Sequence, residues 1–509
     1  MSRPVLLLPL DDRPCNRLFP GELARLAGRR VLTPPRPLLG RFLRPGRPER
    51  LAAWLVEHAG QAAGLVVSAD MLCYGGLVAS RTPTAAASEA RRRLHLLAQL
   101  RRRHPGLPIL AWGVIMRLGT TVSSPAAQEL HHRLVEYSQL SDQVHRLGQA
   151  SLAGKLRELE RATGRPALDA YRAVRRRNHA LNLALVRLAA RGAVDCAVLS
   201  QEDCTPVGLH RAEQQALAAE IAAAGLGDRV LIYPGADEVG CVLLARLLAP
   251  GRRVHPIYAS PQGARVVARY EDRPLADTVA SQVAGAGALL APAGPADLYL
   301  GVNTPRGEQQ EAQQADRHDP QAAGLSPFLQ RLADLVAAGQ AVAVADAAYA
   351  NGADPALVRS LAERGLTGRL AGYAGWNTAG NTIGTALAQG LLCTAGEVGR
   401  HARRALALAS FTCERLVDDY AYQVCVRPQV YRLAAARGHS PLRLGGAWRE
   451  YEQVVRELLA AQAQELYRQH FQGRPLPGGW RVERLEALRV RLPWPRLFEV
   501  EVQARLGLA

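Results

Sequence analysis

Three pairs of adjacent acids each follow a short apolar run: Asp11 and Asp12 in LLLPLDDRPCN, Glu202 and Asp203 in SQEDCTP, and Asp237 and Glu238 in PGADEVG. Two neighbouring carboxyl groups push their protonation equilibria apart, so that one keeps a proton while the other stays ionised. Glycoside cleavage needs that combination, with one carboxyl on each side of the scissile bond. Glu202, Asp203, Asp237 and Glu238 are therefore the catalytic candidates. The same chemistry admits an alternative, in which Asp11, Asp12, Asp70 and Asp237 hold a hard cation such as Mg²⁺ or Mn²⁺ through oxygen ligands. Arg13 or Arg117 would then grip a substrate carboxylate or phosphate.

Polar residues suited to substrate binding cluster in the same kind of place. They are Asp11, Asp12, Arg13 and Asn16; Asp70, Tyr74 and Arg81 in SADMLCYGGLVASR; Arg117; Asn351 and Asp354 in DAAYANGAD; and Trp376, Asn377 and Asn381 in YAGWNTAGNTIG. Tyr74 and Trp376 offer flat faces for a sugar ring. Any one of these acids serves equally well as a helix cap or turn residue. Capping alone, however, favours one Ser, Thr or Asp per loop rather than Asp-Asp, Glu-Asp and Asp-Glu. GWNTAGNTIG is neither a P-loop nor a dinucleotide fingerprint, because the Lys is missing and the glycines are wrongly spaced. No H-E-x-x-H or G-x-S-x-G motif occurs, which argues against a histidine-rich zinc site and a serine nucleophile.

The elements that must position these residues are short apolar runs at 5–10, 30–35, 64–69, 108–116, 196–200, 229–234, 253–259, 297–302, 341–346 and 369–375. Continuous apolar strands alternating with helical segments predict an α/β fold with mainly parallel strands. It is either a (β/α)-barrel or two stacked α/β lobes. In both, loops after the strands' carboxyl ends build the site, and nearly all the candidates follow such a run. The spacing divides the chain into a catalytic-type α/β region over 1–390, with a helical insert at about 123–192, and a mostly helical region over 391–509. That second region ends in a β hairpin at 488–506. Residues 303–320 read as an exposed, mobile loop near the substrate mouth.

The chain has 509 residues and a formal net charge of +18, carried almost entirely by arginine. Runs such as ARRRLHLLAQLRRRHP lack aromatic interleaving and read as the wet faces of amphipathic helices, so a nucleic-acid partner is not expected. The eight cysteines show no metal or redox spacing and read as small core residues, Cys15 being the one thiol to test for reactivity. No apolar run approaches the roughly 20 residues that span a bilayer. A cytoplasmic protein without a membrane partner is the expectation.

PLDDRPCN, SADMLCYGGLVASR, YEDRPL, ANGAD and YAGWNTAGNT together resemble a bacterial family of unknown function whose members are of about this length. The resemblance implies that these stretches form one signature, with Asp11, Asp12, Arg13, Asp70, Tyr74, Arg81, Asn351, Asp354, Trp376, Asn377 and Asn381 as matching positions; it implies no activity. The residues themselves point to an intracellular, glycosidase-like hydrolase that takes a sugar or other small molecule and needs no cofactor. The alternatives are a Mg- or Mn-dependent enzyme acting on an anionic small molecule and a non-enzymatic sugar or polyanion binder.

Overall fold

The computed structural model describes residues 3–314 and 324–508, and the chain divides into two compact units. The first comprises Met1–Asp12, Val31–Gly240 and Tyr270–Asp272; the second comprises Arg13–Arg30, Cys241–Arg269 and Arg273–Ala509.

Six strands form the sheet of the first unit: β1 (Val5–Leu8), β2 (Val31–Leu32), β3 (Gly64–Ser68), β4 (Ile109–Ile115), β5 (Cys196–Gln201) and β6 (Val230–Pro234). All pair in parallel, in the order β2-β1-β3-β4-β5-β6. One face carries Leu6, Leu8, Leu65, Val67, Ile109 and Ala111. It packs on Leu51 and Leu55 of the helix Pro48–His58 and on Leu181 and Leu185 of the helix Arg165–Ala190. Burying each of the leucine, isoleucine and valine side chains contributes about 1.5–3 kcal/mol, which is why these strands read as unbroken oil. The chain leaves β1 toward β2 on one side and returns as β3 on the other. That reversal opens a crevice at the strands' carboxyl ends, where such folds bind ligands. The insert forms the helices Pro125–His145, Ala153–Thr163 and Arg165–Ala190 around a small core of its own that includes Leu134, Tyr137, Leu156 and Tyr171.

The second unit repeats the plan. Its strands are β7 (Arg253–Tyr258), β8 (Leu289–Leu290), β9 (Leu298–Asn303), β10 (Val342–Asp346) and β11 (Gly372–Ala374), parallel and ordered β11-β10-β9-β7-β8. Counted from its own first strand, this is the order of the first sheet without its sixth strand. Of the two architectures the sequence allows, the chain adopts the two-lobed one. Both sheets are open, with β2 and β6 at the ends of one and β11 and β8 at the ends of the other, so no barrel closes.

No break falls at residue 390. The helix Ala379–Ala395 runs through it and packs on β10 and β11. The helices Ala402–Arg415 and Trp448–His470 belong to the same unit and pack on the antiparallel hairpin β12 (Val482–Arg491) and β13 (Glu501–Leu508). Between Ala402–Arg415 and Arg427–Ala436 the backbone widens into a π-helix over Leu416–Val426. Nor is 303–314 a loose loop. Asn303, Thr304 and Ala312 are buried, and the Gln309 side chain accepts from Arg269 N (2.8 Å) and donates to Ala347 O (2.9 Å). Residues 315–320 lie outside the described residues. No described helix is long and apolar enough to cross a membrane.

Candidate functional site

In the first unit the carboxyl edge of the sheet gathers ten of the residues singled out from the sequence. Asp11 and Asp12 follow β1 and are buried, Asp12 accepting from Arg36 Nη2 at 3.1 Å. Asp70 follows β3, where the Ser68 hydroxyl caps the helix Ala69–Tyr74 by accepting from Met71 N. The Asp70 carboxyl accepts from Val114 N at 2.9 Å. The two loops touch where Leu77 N donates to Leu10 O at 3.2 Å. Tyr74 lies under the guanidinium of Arg177, 4.3 Å from its ring centre, so no sugar ring stacks on that face. Arg81 donates to Glu202 and to Thr121 Oγ1 (2.9 Å), while Arg117 donates to Asp203 Oδ2 (2.9 Å) and Thr120 O (2.7 Å). In the third acid pair, Glu238 folds back on its own turn and accepts from Ala236 N at 2.9 Å beside Gly235, and Asp237 is buried.

Burial lifts the Asp70 carboxyl to about 7, with the Val114 N–H and the Ser80 hydroxyl pulling down and the charge of Glu202 adding to the rise. Burial also raises Glu202, against the pull of Arg81 and Arg117, with Asp203 and Asp237 adding to it. This edge is thus one electrostatically linked group in which Arg36, Arg81 and Arg117 each face a carboxylate.

The second unit holds the remaining seven residues, and four of them line one crevice. Arg13, Asn351, Trp376 and Asn377 surround about 440 Å³ of unfilled space, part of it open to solvent, together with Asp418 and Glu499. The local backbone explains the placement. Asn351 and Asn377 both adopt left-handed φ values (58° and 60°), a conformation asparagine tolerates better than most residues. Asn351 N donates to Asn377 O at 2.8 Å, tying the loop after β10 to the loop after β11. The Trp376 indole N–H reaches Thr385 Oγ1 (3.3 Å) and its ring meets Phe19 edge-on at 5.9 Å. Arg13 lies over the Trp494 ring at 5.0 Å. Cys15 lines the same crevice.

Three predicted residues hold the scaffold instead. Asn381 donates to Thr378 Oγ1 (3.1 Å) and braces the turn into the helix Ala379–Ala395. Asn16 is buried with its amide nitrogen 3.6 Å from the Cys15 sulfur. Asp354 caps the helix Pro355–Glu363 by accepting from Ala356 N (2.9 Å), and its backbone N–H donates to Asp346 (2.7 Å).

The π-helix supplies what sequence reasoning missed. Asp418 lines the crevice, and its carboxyl accepts from Arg415 Nη1 (3.2 Å) and Gln423 Nε2 (3.3 Å). Asp419 points elsewhere, accepting from Arg415 Nη1 (2.9 Å) and Gly375 N (2.7 Å). One buried guanidinium thus serves two buried carboxyls. Burial raises Asp418, with Arg415 opposing it and Glu499 adding to it; burial pushes Asp419 up to about 8, again against Arg415. Asp346, buried beside Asp354 and held by Asn303 Nδ2 (2.8 Å), rises to about 7. Glu499 pairs two-pronged with Arg496 at 2.5–3.1 Å. The signal for Asp418 and Asp419 was present, as an acid pair set among Leu416, Val417, Val424 and Val426 in a helical segment.

Among the described residues no three His, Cys, Asp or Glu side chains lie together as a metal ion requires. The free cysteines are all buried. A family model described as "Protein of unknown function (DUF4127)" matches residues 5–503, and the chain belongs to that family. No curated protein matches it.

Proposed function

We propose that this DUF4127 member is a hydrolase of the glycosidase type whose reacting groups sit in the crevice of the second unit. The observation that carries the reading is the composition of that crevice: two carboxylates, Asp418 and Glu499, line it together with an indole and the amides of Asn351, Asn377 and Gln423. Trp376 offers a face for a sugar ring, and the amides offer donors and acceptors for its hydroxyls. Asp418, raised by burial, acts as the acid that protonates the leaving oxygen. Glu499 attacks the anomeric carbon or activates water. Asp418 and Glu499 are held by Arg415 and Arg496 much as Glu202 and Asp203 are held by Arg81 and Arg117, so the choice of this crevice rests on the indole and amides that line it.

The test is hydrolysis of a panel of 4-nitrophenyl glycosides by the full chain. Asp418→Asn and Glu499→Gln should each lower kcat by about 100-fold or more, the usual worth of a positioned acid or base. Trp376→Ala should act mainly on KM. Turnover that survives Asp418→Asn, or no turnover of any glycoside, overturns the reading. Turnover abolished by a chelator and restored by Mg²⁺ or Mn²⁺ replaces it with the metal-dependent alternative.

A further inference from the structure

A second carboxyl pair lies outside the crevice, in the same unit. Glu22 belongs to the helix Phe19–Leu26 and Glu414 to the helix Ala402–Arg415, two helices that pack together. Their side chains are within hydrogen-bonding reach of each other. One oxygen of Glu414 accepts from Ala504 N of β13 at 2.8 Å. The other, and Oε2 of Glu22, are buried and meet no donor among the described residues. Two carboxylate oxygens cannot face each other bare in a dry interior, because both accept and both repel. A single proton between them removes both objections.

We propose that Glu22 and Glu414 form a buried proton-binding site that fastens the helix Phe19–Leu26 to the helix Ala402–Arg415 and the terminal hairpin, and that releases this helix when the proton leaves. The charged groups facing the pair are Arg25 from its own helix, Arg415 beside Glu414, and Glu501 of β13, which itself pairs with Arg17 at 3.4 Å. Arg415 is already committed to Asp418 and Asp419, and the pull of Arg25 on Glu22 is opposed by the charge of Glu501, so the pair has no full counter-charge. Burial raises both glutamates; Glu22 raises Glu414 further, while the hydrogen bond from Glu414 lowers Glu22, so Glu414 holds the shared proton and gives it up to solvent as pH rises.

The consequence reaches the crevice without depending on what reaction occurs there. Phe19, at the start of this helix, lines the crevice, meets Trp376 edge-on and lies 4.0 Å beneath the Arg415 guanidinium. Loss of the proton should loosen all three contacts together.

The experiment is amide hydrogen exchange of the full chain from pH 6 to 9.5, corrected for the intrinsic rate. Wild type should lose at least tenfold protection over residues 19–26 as pH rises, while β3 and β4 hold theirs. Glu414→Gln replaces the shared proton with an amide N–H and should flatten that loss; Glu22→Gln should do the same, and covers the case in which the first variant does not fold. Carboxyl ¹³C resonances of labelled glutamate should show one of the two protonated at pH 7. Equal loss of protection in wild type and both variants, or two ionised carboxylates at pH 7, overturns the proposal. Neither result bears on glycoside turnover, so failure here and failure of the catalytic reading are separable.

Discussion

Replacing Arg415 with Met tests the electrostatics of the second unit most directly. The guanidinium is almost wholly buried, bonds Asp418 and Asp419, and packs on Phe19 and Phe411. Methionine preserves most of the aliphatic volume, so the cost is mainly electrostatic. Removing one partner of a buried ion pair typically costs about 3–5 kcal/mol, because the abandoned charge has nowhere to go. Here the abandoned groups are acids that burial has already raised, Asp419 to about 8, so at pH 7 much of the neutralisation is in place. The expected loss at pH 7 therefore lies at the low end, about 3 kcal/mol, or roughly 6–12 °C in the melting of that unit. It should shrink at pH 5, where protons are freely available to both carboxyls. Urea unfolding at pH 5 and pH 7, with the double variant Arg415→Met/Asp419→Asn, measures this. A loss under about 1 kcal/mol at pH 7, or one that grows on acidification, would refute the account of one cation shared by two acids.

Two further outcomes follow from the same reasoning. Asp70, raised to about 7 in the folded chain from an ordinary 3.8, is protonated when folded at pH values where the unfolded chain has already ionised. Its contribution to stability is thus complete below about pH 4 and is lost as pH rises toward 7; Asp70→Asn should flatten that decline in urea midpoints between pH 4 and 8. Two helix-associated glycines should respond with opposite signs in thermal melts. A Cβ on Gly396 would lie 1.8 Å from the backbone oxygen of Leu26, so Gly396→Ala should destabilise by about 2–3 kcal/mol, whereas nothing lies within 4 Å of a Cβ on Gly21 and Gly21→Ala should stabilise by about 0.5–1 kcal/mol.

The strands were legible because parallel strands buried on both faces leave a run of oil with few rivals for its meaning, as in VLLL and VAVAD. β8 was not, since two exposed leucines pair for only two residues at an edge. Barrel and two lobes share the same local pattern of strand, helix, strand; only the long-range pairing separates them, and no short window of sequence records it. Asn351 and Trp376 were legible as candidates, and both line the crevice, because polar side chains after a strand, beside glycine, have few other uses. Asp418 was hidden by context. A helical reading assumes 3.6 residues per turn, whereas the π-helix turns more widely and sends two consecutive acids to different surroundings. Glu238 shows the opposite failure: an acid in the right place can be spent on its own turn.

The partition of the chain has a consequence for how the protein is made. Neither unit is a continuous segment; the chain first passes from one to the other between Asp12 and Arg13, within the motif DDRP. The helix Phe19–Leu26 leaves the ribosome well before the helices Ala379–Ala395 and Ala402–Arg415, on which Phe19, Leu23 and Leu26 find their partners. At about 5–20 residues per second those partners follow tens of seconds later. During translation the segment is an orphaned amphipathic helix, with nothing of its own unit to dock on. Synthesis of this protein should therefore lean on chaperones that hold early apolar segments, and its yield should fall sharply when elongation outpaces their supply.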